Sequence, residues 1–435
     1  MMLDLYSVPA LVVFVTVYGV IMVRNVKGIR IPIWATMGIG AIAVLILQII
    51  SPEQAYLAIN FEVLMFLFGM FILVSGMESS GLLKYVTVRI LEYAKTPNRV
   101  LLFILLVLGF LSAFLINDTV ALVATPIVIG LATQMGIKPT PLLISLAFGI
   151  TIGSVLTPIG NPQNLLVALG SGMMSPFWNF ALYLIAPTLA CMATTYLVLV
   201  RFYKTSLSAA VMPSTVTTTG MVTDLSLAKT SSLIAVLVIV GFFTVGFVNK
   251  IDGLSEINFS HVAFVGGLTL LAASRHRKKI FLEINWKIIA FFAAMFVFMA
   301  AMWNGGIIEI FASFFPSAGP SGGIQSLLNI LVTSTGLSQV MSNVPFVAVY
   351  LPVMHSLGYA GQDTLFWIAL ASASTLAGNL TILGAASNII ILEAAEKKKE
   401  HAFSFWEFFK IGAIVTALNL AILFAFLVAY FTFDV

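Results

Sequence analysis

The chain has 435 residues, 60% of them hydrophobic and 9% charged, with a mean hydropathy of +1.08. That is far too little polar surface to cover a soluble globule of this size, so a polytopic membrane protein is expected. The formal charge of +4 bears on membrane orientation rather than on nucleic acid, and the lone Cys191 excludes both an intramolecular disulfide framework and a multi-thiolate metal site.

In chain order, an apolar stretch from about Val8 to Met22 comes first. It follows Asp4 rather than a basic region and has no small-residue cleavage site, so it is read as a membrane span, not a removable signal. With this segment, 8–23, further stretches of spanning length at 32–50, 61–78, 178–200, 231–249, 260–274, 287–303 and 405–430 make eight expected spanning helices. Between them each half carries two apolar segments that are broken. The first pair is 99–135, split by Asn117-Asp118-Thr119, and 141–173, split around 157–164; the second pair is 324–357 and 364–396.

Backbone outside a helix leaves N–H and C=O groups unpaired at several kcal/mol each in bare lipid, so such breaks must be buried in protein or face water. The first broken segment of each half is therefore read as a re-entrant hairpin and the second as a discontinuous spanning helix. The predicted fold is an all-α polytopic membrane protein of two inverted-topology repeats, each with five transmembrane crossings, one re-entrant hairpin and one discontinuous helix. Their expected bounds are 1–203 and 231–435, with a cytoplasmic, Ser/Thr-rich linker at 204–230. With both termini outside, every Lys and Arg except Lys250 falls on the cytoplasmic side, as the positive-inside rule requires. A multi-pass location in a prokaryotic inner membrane follows.

The four histidines, His261, His276, His355 and His401, lie near predicted span ends without ligand-like spacing and are read as interfacial. No cofactor motif is present.

The two halves share a polar text. Asn117 and Asn343 are 226 residues apart, as are Pro126 and Pro352; Gly160 and Gly384 are 224 apart, as are Asn164 and Asn388. Met77 and Gly81 answer Met302 and Gly306. A duplicated apolar unit interrupted by Gly, Pro, Asn and Thr points to a solute site where two repeats meet. Its expected members are Asn117, Asp118, Thr119, Thr157, Gly160, Asn161 and Asn164 from the first half. The second half supplies Ser342, Asn343, Val344, Gly378, Asn379, Thr381, Gly384, Ser387 and Asn388.

Glycines let the backbone turn and approach a ligand, while Pro158 and Pro162 stop the helix from continuing. Small-residue helix packing accounts for Ser387 and Gly378 as well as a site does, but not for the recurrence. Asp118 is the only carboxylate placed deep in the membrane, where insertion costs roughly 2.5–3.5 kcal/mol. Capping of the returning hairpin helix is one reading. The other is a coupling-ion site, at which a desolvated carboxylate holds a proton in one state and yields it to water or Na⁺ in another.

The run Asn117 to Leu122 with Thr125-Pro126-Ile127, and Gly378-Asn379 followed by Thr381 to Asn388, resembles the ion transporter superfamily. The resemblance is to the group holding ArsB-type arsenite permeases, NhaD-type sodium/proton antiporters and citrate-type permeases. It implies a homodimer, each protomer with a fixed scaffold and a moving unit that works as an elevator. More distant divalent anion/sodium symporters carry Ser-Asn-Thr at both hairpin tips. Here the tips read Asn-Asp-Thr and Ser-Asn-Val, gaining a charge in one and losing a hydroxyl in the other.

No Lys or Arg falls in the polar centre, so a multiply charged anion would meet Asp118 without a fixed positive partner unless sodium co-binds. The expected activity is therefore secondary transport of a small inorganic anion or oxyacid of the arsenite type, coupled to H⁺ or Na⁺ through Asp118. No cofactor is expected, and any bound Na⁺ would lie near Asn117, Asp118, Gly160, Asn343 and Gly384. The alternatives are a sodium/proton antiporter and a sodium-coupled carboxylate symporter. An enzyme would need a nucleophile, metal cluster or phosphate loop that the sequence does not show, and a channel suits duplicated broken helices less well than alternating access does.

Overall fold

The computed structural model describes residues 7–23, 25–26, 29–91, 93–212, 221–248, 257–307, 319–398, 400 and 402–433. Asp4, residue 249, Lys250, His401 and linker positions 213–220 lie outside the described residues. In the first half, α1 (Ser7–Val23) leads through two-residue strands β1 (Asn25–Val26) and β2 (Ile29–Arg30) to α2 (Ile33–Ile46), α3 (Pro52–Ala58), α4 (Phe61–Ser79) and α5 (Leu82–Leu91). A hairpin follows: α6 (Pro97–Phe103) continues through a π turn at Ile104–Leu108 into α7 (Gly109–Leu115), and α8 (Asn117–Gln134) returns. Then come α9 (Thr140–Gly153), α10 (Pro162–Gly170), α11 (Pro176–Phe202) and the short α12 (Lys204–Ser208).

The second half runs through α13 (Leu225–Val248), α14 (Phe259–Ala273), α15 (Arg277–Glu283) and α16 (Trp286–Asn304). Its hairpin is α17 (Ile324–Met341) with α18 (Asn343–Ser356). The broken helix is α19 (Thr364–Leu376) with α20 (Ala386–Lys397), and α21 (Phe405–Phe433) closes the chain. The molecule is thus an almost wholly helical integral membrane protein.

Among the described residues six helices are long and apolar enough to cross a membrane: Phe61–Ser79, Pro97–Leu115, Pro176–Phe202, Leu225–Val245, Trp286–Asn304 and Phe405–Phe433. Of the eight spans expected from hydropathy, three are shorter apolar helices, Val8–Ile21, Ile33–Ile46 and Phe259–Ala273. A local stop signal shortens one of them, while another, α14, keeps the length expected for 260–274. Pro32 opens α2, and the chain leaves it at Leu47 and Gln48, the latter at φ 54°. Asn258 and His261 form a capping box that starts α14, and extended backbone at Ser274 ends it. Conversely, the outgoing arm Pro97–Leu115, expected as part of a re-entrant hairpin, is long enough by itself for a full crossing. Helix α13 begins at Leu225, inside the stretch 204–230 expected as linker, because the Asp224 carboxylate accepts from Leu227 N at 2.9 Å and caps it.

Packing brings the two hairpins and the two broken helices together across the halves. Helix α8 lies on α20, and α10 lies on α18, so each returning hairpin arm covers the other half's second helix segment. Behind them α11 and α21 pair, joined by the Asn419 amide donating to Thr195 Oγ1 at 3.3 Å. α4 packs on α14 and α2 on α16.

Candidate functional site

Both hairpins turn on a residue with positive φ. Ile116 has φ 64° and ψ 126°, and Ser342, 226 positions later, has φ 68° and ψ 156°. Neither is glycine, so each tip stores on the order of 1–3 kcal/mol of backbone strain that the surrounding fold must hold in place. The turn makes the next residue, Asn117 or Asn343, the first of a helix. Asn117, Asp118 and Thr119 therefore lie in the first turn of α8, and Asn343 and Val344 in that of α18, where free N–H groups gather. One of these donors is used across the site: Asn117 N–H bonds the Gly160 carbonyl at 3.1 Å.

The breaks are built by one rule, applied twice. After α9 a 3₁₀ turn at Ser154–Leu156 leads to extended Thr157 and Asn161, and α10 starts with Pro162. After α19, 3₁₀ turns at Ala377–Asn379 and Ile382–Gly384 flank extended Thr381, and extended Ala385 precedes α20. Each break frees carbonyls that a continuous helix would have paired. Asn164 Nδ2 donates to two of them, Ser154 O at 3.0 Å and Thr157 O at 3.1 Å. Asn388 Nδ2 does the same to Gly378 O at 2.8 Å and Thr381 O at 3.4 Å. These two asparagines are thus structural clamps through their amide nitrogens.

Thr157 and Thr381 hold the breaks against the hairpins. The Thr157 hydroxyl donates to the Ala113 carbonyl, while that of Thr381 donates to Gln339 Oε1 at 2.9 Å, and Gln339 Nε2 in turn donates to Ala377 O at 2.8 Å. Gly160 is needed for close approach, since a Cβ there would stand 2.3 Å from the Ser154 carbonyl oxygen. At Gly378 a Cβ would meet Ala385 Cβ at 2.9 Å and Asn343 Nδ2 at 3.3 Å, which places the second hairpin tip directly on the second break.

Among the described residues of the site, three side-chain hydrogen bonds cross between the halves. Asn117 Nδ2 donates to Ser387 Oγ at 3.4 Å; Thr375 Oγ1 donates to Asn164 Oδ1 at 2.8 Å; and Gln163 Nε2 donates to Thr375 Oγ1 at 3.1 Å. The polar residues singled out from sequence therefore converge from four elements. Asn161 is turned inward to its own half, donating to Ser154 Oγ at 2.7 Å.

Polar capacity is left over at the centre. Asn117 Oδ1, Asn343 Oδ1, Asn388 Oδ1 and both amide atoms of Asn379 are buried without a hydrogen-bond partner among the described residues. Such groups are costly to bury unpaired, roughly 1–3 kcal/mol each. Asp118, beside Asn117, is partly exposed, and among the described residues no salt bridge reaches it. Among the described site residues, the side chains that close the two breaks or link them across the halves are Asn, Gln, Ser and Thr.

Sequence reasoning missed four contributors. Gln339 lies on a helix that also carries Gln325, Asn329, Thr333, Ser334, Thr335 and Ser338, and Thr375 follows Ser372 and Ser374, so neither stood out from its neighbours; Ser154 sits one turn before the break. Ile116 carries no mark of its conformation, although its place opposite Ser342 does.

Comparison with known proteins agrees with this architecture. The profile of the family CitMHS, described as citrate transporter, matches residues 17–373. An "Uncharacterized transporter" of Mycobacterium bovis is 27% identical over 96% of both chains. A silicon efflux transporter of Oryza sativa subsp. japonica is 25% identical over 90% of this chain and 93% of its own. Among solved structures, the MtrF antimetabolite efflux pump of Neisseria gonorrhoeae superposes with a TM-score of 0.60 at 14% identity, covering 99% of this chain and 95% of that one. The YdaH transporter of Alcanivorax borkumensis gives 0.54 at 12% identity, over 99% of both. These last two show a shared fold. The chain belongs to the citrate transporter family of membrane transporters, within the ion transporter superfamily that its hairpin and break motifs resemble.

Proposed function

We propose that the chain is a secondary active transporter that moves a small, oxygen-rich inorganic solute of the arsenite or silicic acid class by alternating access. Coupling to H⁺ or Na⁺ runs through Asp118. The observation that carries this reading is the set of buried, unpartnered amide atoms on Asn117, Asn343, Asn379 and Asn388, contributed by both halves. Neutral donors and acceptors suit a hydroxylated solute, and hard amide oxygens together with carbonyls at broken helices suit Na⁺. A fixed carboxylate without a cationic partner repels a polyanion. The relative named for silicon efflux supports the same solute class.

Matching backbone geometry at Ile116 and Ser342, and matching clamps at Asn164 and Asn388, support two repeats of one unit at 1–203 and 231–435. In this reading they are inverted in the bilayer, both termini face outside, the stretch near 204–230 is cytoplasmic, and a homodimer moves its solute units as elevators. The host is a prokaryotic inner membrane.

A second reading, sodium-coupled uptake of a carboxylate, is favoured by the family's description. A sodium/proton antiporter would use Asp118 and the same oxygens with no further solute. A thermal-stability screen of the purified protein separates these, because a bound ligand stabilises the folded state. Stabilisation by arsenite or silicic acid, and not by citrate with Na⁺, is expected. Stabilisation by citrate only in Na⁺ would replace this proposal with the carboxylate reading, and a response to Na⁺ alone would favour the antiporter.

A further inference from the structure

Two helices back the second break, and each of these three elements buries a polar group that has no partner among the described residues. The 3₁₀ turn Ala377–Asn379 carries Asn379, whose amide nitrogen and oxygen are both unpaired; α17 carries the Ser334 and Ser338 hydroxyls; α21 carries the Thr416 hydroxyl. All four residues are at most 2% exposed. The turn packs on α17 and on α21, and α17 packs on α21, so the three elements meet around Asn379. Gly412 of α21 comes so close that a Cβ there would stand 2.2 Å from Asn379 O, and Thr416 follows one helical turn later on the same face. Gln339, next to Ser338, donates to Ala377 O at 2.8 Å. Ser334 and Ser338 share the buried face of α17, and neither turns its hydroxyl back on its own helix as Thr335 does, to Leu331 O at 2.7 Å.

The first half is built differently at the matching positions. Leu108 stands 226 residues before Ser334 and Val155 stands 224 before Asn379, both of them in the apolar core. Ser112, 226 before Ser338, sets its hydroxyl against two carbonyls, Gly109 O at 2.6 Å and Ile150 O at 2.7 Å. The shared frame of the repeats therefore does not require polar groups here.

The unpaired atoms restrict what can satisfy them. A cation answers the oxygens but faces the Asn379 N–H groups with positive charge, while an anion answers the donors and meets the lone pairs of Asn379 Oδ1. A small neutral molecule that both donates and accepts suits all four side chains. Water does so with about 2–4 hydrogen bonds and little space. We propose that Ser334, Ser338, Asn379 and Thr416 form a buried hydration site, whose resident water bonds the outgoing arm of the second hairpin to the broken helix and to α21. Resting on the transport reading above, this divides the unpaired amides: Asn379 belongs to the water, and Asn117, Asn343 and Asn388 are left to the solute.

Water-edited solid-state NMR of the full-length protein in lipid bilayers, labelled with ¹⁵N-asparagine, tests the occupant. The Asn379 side-chain signal is assigned by its loss in Asn379→Leu or, should that variant fail to fold, in Asn379→Ser. Polarisation is expected to pass from water to Asn379 Nδ2 faster than to Asn164 Nδ2, which is as deeply buried but donates to two carbonyls. Equal or slower transfer overturns the resident water. Added arsenite is expected to leave the transfer to Asn379 unchanged; its loss would give the pocket to the solute and overturn the assignment. Absence of any arsenite response at Asn117, Asn343 and Asn388 counts against the transport reading instead, and the transfer rate still decides the water. A double-mutant cycle in thermal melts tests whether the groups share it. Ser338→Ala and Asn379→Leu are each expected to lower the melting temperature by roughly 2–4 °C, and the pair to lose less than the sum, because each removes a partner of the same water. A rise with Ser338→Ala, as helix propensity alone would give, or strictly additive losses, overturns the shared site.

Discussion

Thr375 and Asn164, 211 residues apart in sequence, are joined by a hydrogen bond from the threonine hydroxyl to the asparagine Oδ1 at 2.8 Å. Its counterpart by repeat register is not made. Thr151, 224 positions before Thr375, turns back to Ala147 O of its own helix at 2.9 Å, and Asn388 Oδ1 is left without a partner. The two breaks share a frame but not a polar balance. The first is closed by its own bonds and by Thr375, whereas the second keeps unpaired amide atoms on Asn379 and Asn388.

Thr375→Val should therefore be the more damaging of two chemically identical changes. It strips Asn164 Oδ1 of its donor and Gln163 Nε2 of its acceptor, at an expected cost of about 1–3 kcal/mol. Thr151→Val removes only a bond within its own helix and should cost less than about 1 kcal/mol. Thermal unfolding in one detergent reads both. Equal losses would deny the cross-half bond its role.

The amide clamps should not tolerate a carboxylate. Asn164→Asp and Asn388→Asp each remove the donor to two carbonyls and set negative charge against them, so a loss of roughly 2–4 kcal/mol is expected at either position. Circular dichroism during thermal melts checks this. Near-neutral behaviour at Asn388 alone would mean that the second break is not held as the first is.

At the tips, Ser342→Gly relieves the positive φ without opening an apolar cavity and should stabilise the fold by about 0.5–1 kcal/mol. Gly160→Ala forces a methyl against the Ser154 carbonyl, 2.3 Å from where the Cβ would fall, and should destabilise by at least about 1–3 kcal/mol. The pair of opposite signs is measured by the same melts. A stable Gly160→Ala would show that the break can widen.

Much of this site was legible because polar residues and helix breakers stand out against apolar text, and stand out twice. Thr157 with Thr381, Gly160 with Gly384 and Asn164 with Asn388 were all visible by spacing. The pairing of Thr375 with Asn164 was not, since nothing local to either residue says which distant helix it meets. Ile116 was hidden for a different reason: a β-branched residue has no local preference for its backbone conformation, which tertiary packing imposes. Span length was overread where hydropathy runs on past a backbone stop, as at Gln48. The start of α13 was missed because Asp224 acts as a cap only once Leu227 is known to follow it in helix.

Asp118 stands at the opening of α8 with no salt-bridge partner among the described residues, next to an asparagine that touches both breaks through Gly160 and Ser387. Arsenite uptake into proteoliposomes under an imposed pH gradient, compared between wild type and Asp118→Asn, tests its coupling role most directly. Gradient-driven accumulation by wild type is expected, with Asp118→Asn reduced to equilibration that ignores the gradient. Accumulation that persists in Asp118→Asn, or that ignores the gradient in wild type, would contradict coupling through this carboxylate.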